Sequence, residues 1–96
     1  MRPKSLPPIH PGEILKVDFL DALEISQYRL AKAMHVPPRR INEIVQGKRG
    51  ISADTALRLS KALGTSAGFW MNLQSRFDIE TAEDEIELAE IERLTA

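Results

Sequence analysis

Apolar residues recur along most of the chain at the three- and four-residue spacing of one helix face. This pattern predicts five short helices: about Pro11 to Leu23, a second capped by Ser26 that stops at His35–Val36, Arg39 to Gln46, Ala53 to Leu63, and a fifth opened by Ser66. No segment alternates between apolar and polar residues over a useful length, as a strand would. The sequence therefore predicts an all-α fold.

Turn-forming residues separate the predicted helices. Pro37-Pro38 disfavours helix in the residue before it, so it stops the second helix and starts the third after a tight bend. Gly47 and Gly64 follow the third and fourth helices, where a left-handed glycine commonly ends a helix. Ser52 is placed to cap the fourth helix.

The two ends of the chain differ in character from its middle. Residues 1–9 are proline-rich and basic and predict a flexible arm, and residues 10–77 form the predicted helical domain. Residues 78–96 predict a further, acidic C-terminal helix, with Ile79, Ala82, Ile86, Ala89 and Leu94 near one face. This segment has three open interpretations: a solvated helix, a dimer-forming helix, or a surface for a basic partner.

The net charge of −1 hides two parts of opposite sign. Met1–Arg76 carries 12 basic and 6 acidic residues, whereas residues 77–96 carry 1 basic and 8 acidic residues. The near-neutral total therefore does not exclude nucleic acid as a partner of the first part. The absence of cysteine excludes disulfides and favours a cytoplasmic protein, and no apolar run is long enough for a signal peptide or a membrane span.

The second and third predicted helices have the lengths of a helix-turn-helix, in which the second helix enters the major groove of DNA. On a helical wheel Ile41, Ile44 and Val45 mark the buried side of the third helix. Its outer arc and flanks carry five polar side chains suited to reading base edges: Arg39, Arg40, Asn42, Glu43 and Gln46. The alternative is an ordinary solvated helix face.

Further polar residues beside this helix are suited to the DNA backbone. Lys48 and Arg49 lie between Gly47 and Gly50 in a loop that can clamp phosphates. Gln27, in the first turn of the second helix, can donate to a phosphate near the positive end of the helix dipole. Together with the Pro-Pro turn and the local basic excess, these residues favour DNA binding over a merely solvated face.

Three sequence motifs in this order resemble a known family. SQYRLAKAMHVPPRRINEIVQGKRGIS resembles the helix-turn-helix of Xre/Cro-type regulators, and HPGEIL before it and GFWMNLQ after it resemble the HigA/VapI-type antitoxins. The resemblance covers about His10 to Asp78. One departure is His35, which stands where this turn often has glycine, although histidine tolerates the left-handed region better than most residues.

The resemblance implies a homodimeric antitoxin that represses its own operon at an inverted-repeat operator on double-stranded DNA. It also implies a toxin partner of the HigB type, a RelE-like mRNA endonuclease. The family's DNA-reading surface falls on Pro38, Arg39, Arg40, Asn42 and Glu43, with Gln27, Lys48 and Arg49 as backbone contacts. Its core signature falls on Leu30, Ala31, Val36, Ile41 and Ile44.

Other residues carry less information about function. His10 and His35 are far apart in the chain and lack paired-ligand spacing, so we predict no metal, no cofactor and no catalytic site. Among the large apolar residues of the fifth helix, Phe69 and Leu73 are expected in the core. The expected dimer contacts are Trp70, Met71, Ile79 and Ile86.

Two other functions remain compatible with the sequence. One is a stand-alone Xre-type transcriptional regulator without a toxin. The other is a protein-interaction module with a vestigial helix-turn-helix, in which the acidic segment binds the partner.

Overall fold

A computed structural model describes residues 6–96 of the chain. Five helices make up this part, and it contains no strand, which confirms the predicted all-α fold. Their bounds are α1 Pro11–Ile14, continued by a π-helical segment Leu15–Asp21, then α2 Gln27–Met34, α3 Pro38–Val45, α4 Ala53–Leu63 and α5 Ala67–Glu85. Of the predicted N-terminal arm, residues 1–5 lie outside the described residues, and residues 6–9 have no regular secondary structure.

The helices enclose one hydrophobic core. All five residues of the expected core signature are buried, and Ile41 and Ile44 are completely so. The buried apolar side chains are Leu15, Leu20, Leu30, Ala31, Met34, Val36, Ile41, Ile44, Ile51, Ala56, Leu59 and Trp70. Because α2, α3 and α4 each contribute to this cluster, the core fixes the helix-turn-helix against the rest of the domain.

Helix α1 lies close to α3. The Nδ1 atom of His10 accepts a hydrogen bond from the backbone N–H of Gly12 at 2.9 Å and so caps the helix, with Pro11 as its first residue. A Cβ on Gly12 would collide with the backbone carbonyl of Ile44. Glycine at this position therefore allows α1 to lie directly on α3.

The predicted serine caps are confirmed by hydrogen bonds from backbone N–H groups. Ser26 accepts from Arg29 at 3.0 Å, Ser52 from Thr55 at 3.3 Å, and Ser66 from Phe69 at 3.0 Å. Each bond satisfies one of the backbone donors that the first turn of a helix leaves unpaired. These three caps explain why the starts of α2, α4 and α5 were predictable from sequence.

The prediction of a separate acidic helix over residues 78–96 is wrong. Helix α5 passes through Asp78 without a break and ends at Glu85, and a single 3₁₀ turn, Leu88–Glu90, follows it. The amide of Gln74 donates to Asp78 at 2.9 Å across the expected junction, and no glycine or proline interrupts it. Consecutive acidic residues at 83–85 oppose the helix dipole, and no packing holds the exposed residues beyond them in a helix.

Within residues 6–96, no helix combines the length and the apolar character that crossing a membrane requires.

Candidate nucleic-acid interface

The turn between α2 and α3 is closed by local backbone geometry. His35 adopts the left-handed conformation with φ 57° and ψ 45°, so it does what glycine more often does at this position. Val36 follows and is buried. Pro37 is extended and precedes Pro38, the exposed first residue of α3. The departure from the family pattern at His35 therefore leaves the turn intact.

An arginine from α4 supports this turn from outside. Nη1 of Arg58 donates to the carbonyl of Met34 at 2.8 Å and to that of His35 at 3.4 Å. A cation at the C-terminal end of a helix satisfies carbonyls that have no partner within the helix and is attracted by the negative end of the helix dipole. Sequence analysis missed this role, because nothing in the spacing shows that Arg58 reaches α2.

Arg58 also belongs to an ion-pair network that includes a predicted base reader. Oδ1 of Asp54 accepts from Nε of Arg58 and from Nη1 of Arg40, each at 2.9 Å. The hydrogen bond from Arg58, together with the one from Arg40, lowers the pKa of the Asp54 carboxyl. Arg40 is thus held toward α4 rather than projecting outward as Arg39 does.

Helix α3 presents the outer face that its sequence predicts. Ile41 and Ile44 point into the core, and Gln46, just beyond the helix, is exposed. The side chain of Arg39 is 85% exposed. Arg39 and Gln46 are therefore accessible to a ligand that approaches this face.

Glu43 lies between two arginines on the same face. Its Oε2 accepts from Nε of Arg39 at 3.2 Å, and its Oε1 lies 3.0 Å from Nε and 2.9 Å from Nη2 of Arg49. The hydrogen bond from Arg39, with the further one from Arg49, lowers the pKa of the Glu43 carboxyl. Glu43 is therefore ionised at neutral pH and links α3 to the loop after it.

Asn42 and Gln27 are in direct contact. Nδ2 of Asn42 donates to Oε1 of Gln27 at 2.7 Å, and both side chains are half-buried. The bond joins the first residue of α2 to the middle of α3. The sequence assigned these two residues separate roles, and the structure brings them together.

The loop after α3 carries the two predicted phosphate-binding cations. Lys48 and Arg49 are exposed, and Gly47 adopts the left-handed conformation with φ 75°. The far end of the loop is fixed by α5, since Oε1 of Gln74 accepts from the backbone N–H of Ile51 at 2.7 Å. Gln74 is a second residue that sequence analysis missed, because its partner lies 23 positions away.

Of the four expected dimer contacts, Trp70 is wrong and the other three are exposed. Trp70 is completely buried, and its indole N–H donates to Oγ1 of Thr65 at 2.7 Å, so it belongs to the core of its own chain. Met71, Ile79 and Ile86 are exposed. The expected burial of Phe69 is also wrong, because the residue is 38% exposed, with its ring edge-on to Trp70.

The two histidines lie in different environments. His10 packs edge-on against Phe77 with ring centroids 4.8 Å apart, and burial lowers its pKa while Asp78 partly opposes the shift. Within residues 6–96 no three side chains of the metal-binding types lie together.

Comparison with known proteins identifies the same helical unit. The helix-turn-helix family model HTH_3 matches residues 18–70. Virulence-associated protein I of Dichelobacter nodosus is 51% identical over 81 residues, which cover 84% of this chain and 75% of that protein. Antitoxin HigA-1 of Vibrio cholerae is 35% identical over 79 residues, covering 82% of this chain and 74% of that protein.

A solved structure shares the whole arrangement of helices. The Pseudomonas aeruginosa antitoxin HigA, determined with the higBA promoter, superposes with a TM-score of 0.84 at 50% sequence identity. The superposition covers 92% of this chain and 99% of that one.

Proposed function

Because the chain belongs to the helix-turn-helix family and, within it, to the HigA antitoxins, we propose that it is a DNA-binding repressor of its own operon and the antitoxin of a HigB-type mRNA endonuclease. Proteins of this family are not enzymes. The proposed DNA binding rests on one observation, the outer face of α3. Polar side chains lie on this face, and Ile41 and Ile44 are fully buried on the opposite face. The solved relative with its promoter supports the same reading.

The side chains of this face have different parts in the proposed complex. Arg39 and Gln46 are the exposed candidates for guanine and adenine. Asn42 reads an adenine while Gln27 accepts a hydrogen bond from its amide and contacts the DNA backbone. Arg40 reaches a base only by exchanging Asp54, 2.9 Å away, for DNA. Pro38 lies at the start of α3, where the helix enters the groove.

The loop residues supply the sequence-independent part of the affinity. Lys48 and Arg49 are exposed next to α3, and the bond between Gln74 and Ile51 fixes the loop that carries them. Cations at this position can neutralise phosphates beside the groove.

We further propose that the protein acts as a homodimer. Met71, Ile79 and Ile86 are exposed on α5 and just beyond it, and a second copy would cover them. A two-fold axis then places two copies of α3 in successive major grooves, about 34 Å apart, on an inverted repeat.

Two substitutions test the proposed DNA binding. Arg39→Ala is expected to cost about 1–3 kcal/mol on the operator and to relax the preference at one base pair. Lys48→Ala is expected to weaken binding to all sequences alike and to reduce the salt slope by about 1. Gel shifts with the DNA upstream of its own gene, and with unrelated DNA, at several salt concentrations measure both effects.

The result that contradicts the proposal is a wild-type protein that binds its upstream DNA no better than unrelated DNA. Equal losses for both variants on every sequence would contradict the division into readers and phosphate contacts. A neighbouring reading frame that encodes a small basic protein supports the toxin partner, and its absence favours a stand-alone regulator.

A further inference from the structure

Glu43 places a negative charge in the middle of the proposed DNA-binding face. Its carboxylate is held between Arg39, at 3.2 Å, and Arg49, at 2.9 Å. Its side chain is 24% exposed, whereas that of Arg39 is 85% exposed. The carboxylate thus lies lower on the face than the arginine that it holds.

The geometry of the Arg39 bond leaves the end of that side chain open. The bond to Glu43 uses Nε, so the two Nη groups at the tip of this exposed side chain take no part in it. A guanidinium reads guanine through two parallel donors, and fixing its stem aims those donors. A long side chain that is already ordered loses less conformational entropy when it binds.

The bonds to Glu43 also limit its own contact with a base. Oε1 accepts from two nitrogens of Arg49, and Oε2 accepts from Arg39. All three interactions would compete with acceptance from a cytosine amino group. The arrangement favours a role through the arginines over the direct base reading that the sequence predicts.

The same charge acts on DNA of any sequence. A carboxylate on this face repels phosphates and so cancels part of the attraction between the neighbouring arginines and the DNA backbone. That attraction is the main source of non-specific binding. On the operator, the correctly aimed Arg39 compensates for this loss, whereas on other DNA it does not.

Building on the proposed operator binding, we propose that Glu43 is a specificity-determining positioning residue: it aims Arg39 at the bases of the operator and weakens binding to all other DNA. The ligand is the same double-stranded DNA. What is new is that Glu43 is assigned as a source of the preference for one sequence.

Glu43→Gln tests this assignment, because it removes the charge and keeps the size of the side chain. Dissociation constants are measured for the operator and for a non-operator duplex of equal length and composition, at several salt concentrations. The variant is expected to bind the non-operator duplex more tightly, and the specificity ratio is expected to fall by roughly five-fold or more. Glu83→Gln removes an equal charge from an exposed position on α5 and should leave the ratio unchanged.

A second pair of variants separates positioning from direct reading. If Glu43 acts through Arg39, most of the effect of Glu43→Gln on the ratio disappears in an Arg39→Ala background. Circular dichroism of all variants checks that the helices are retained.

Two outcomes overturn the assignment while leaving the proposed function intact: an unchanged ratio for Glu43→Gln, or an undiminished effect in the Arg39→Ala background. A wild-type protein without any preference for its operator contradicts the proposed function itself, and this inference with it.

Discussion

The helix-turn-helix and the C-terminal segment use charged residues in opposite ways. On the helix-turn-helix, polar side chains are held by partners: Asn42 by Gln27, Arg40 by Asp54, and Glu43 by two arginines. In residues 83–96 every side chain is exposed, and helix ends at Glu85. A surface that reads DNA must be ordered before DNA arrives, since each ordered side chain reduces the cost of binding. The C-terminal segment, by contrast, buries none of its side chains within a single chain.

The apolar residues show the same contrast. Ile44 on α3 is completely buried, whereas Ile91 in the C-terminal segment is 66% exposed. The stability of the folded chain therefore depends on the first region and hardly on the second. A C-terminal segment with this exposure is available to a second chain.

The largest expected effect comes from the same substitution made in both regions. Ile44→Ala leaves a cavity between α1, α3 and the core, and we expect it to lower the free energy of unfolding by about 2–5 kcal/mol. Ile91→Ala should change it by less than about 0.5 kcal/mol. Urea denaturation at one fixed protein concentration measures both. A comparable loss for Ile91→Ala would show that the C-terminal segment packs on the folded domain.

The sequence predicts the helix-turn-helix well, because its signals are local. The Pro-Pro turn, the cap at Ser26 and the two buried isoleucines act within a few residues, and α2 and α3 begin and end within two residues of the expected positions. The left-handed conformation of His35 was not predicted, because the sequence indicates only that histidine tolerates this region better than most residues.

The parts that sequence did not predict depend on distant contacts. The roles of Arg58 and Gln74 require knowing which helices pack together. Trp70 and Phe69 are neighbours about 100° apart on one helix, and only the surrounding helices decide which ring is buried. The C-terminal helix was overestimated because apolar spacing alone does not supply the packing that a helix needs.

A smaller effect is expected when one arginine is removed from each region. Arg58→Ala deprives the carbonyls of Met34 and His35 of this donor and leaves Asp54 with Arg40 alone, so we expect a loss of about 1–2 kcal/mol in unfolding free energy. It should also weaken operator binding, because the turn between α2 and α3 loses its support. Arg93→Ala removes only a bond to the carbonyl of Ala96 and should change neither quantity. Equal stability of the two variants would contradict the role assigned to Arg58.

The smallest effect concerns His10, which lies outside both regions, at the start of α1, against Phe77 and beside Asp78 of α5. Burial lowers its pKa, so the unfolded chain binds a proton on this side chain at a higher pH than the folded chain does. Its contribution to stability is therefore full above the unfolded value near 6.5 and declines as the pH falls below it. His10→Asn keeps a side-chain acceptor for the backbone N–H of Gly12 and removes the titration. Urea denaturation at pH 7.5 and 5.5 should show a larger loss of stability on acidification for the wild type than for the variant. Equal losses would mean that the burial of His10 against Phe77 does not disfavour the charged imidazole.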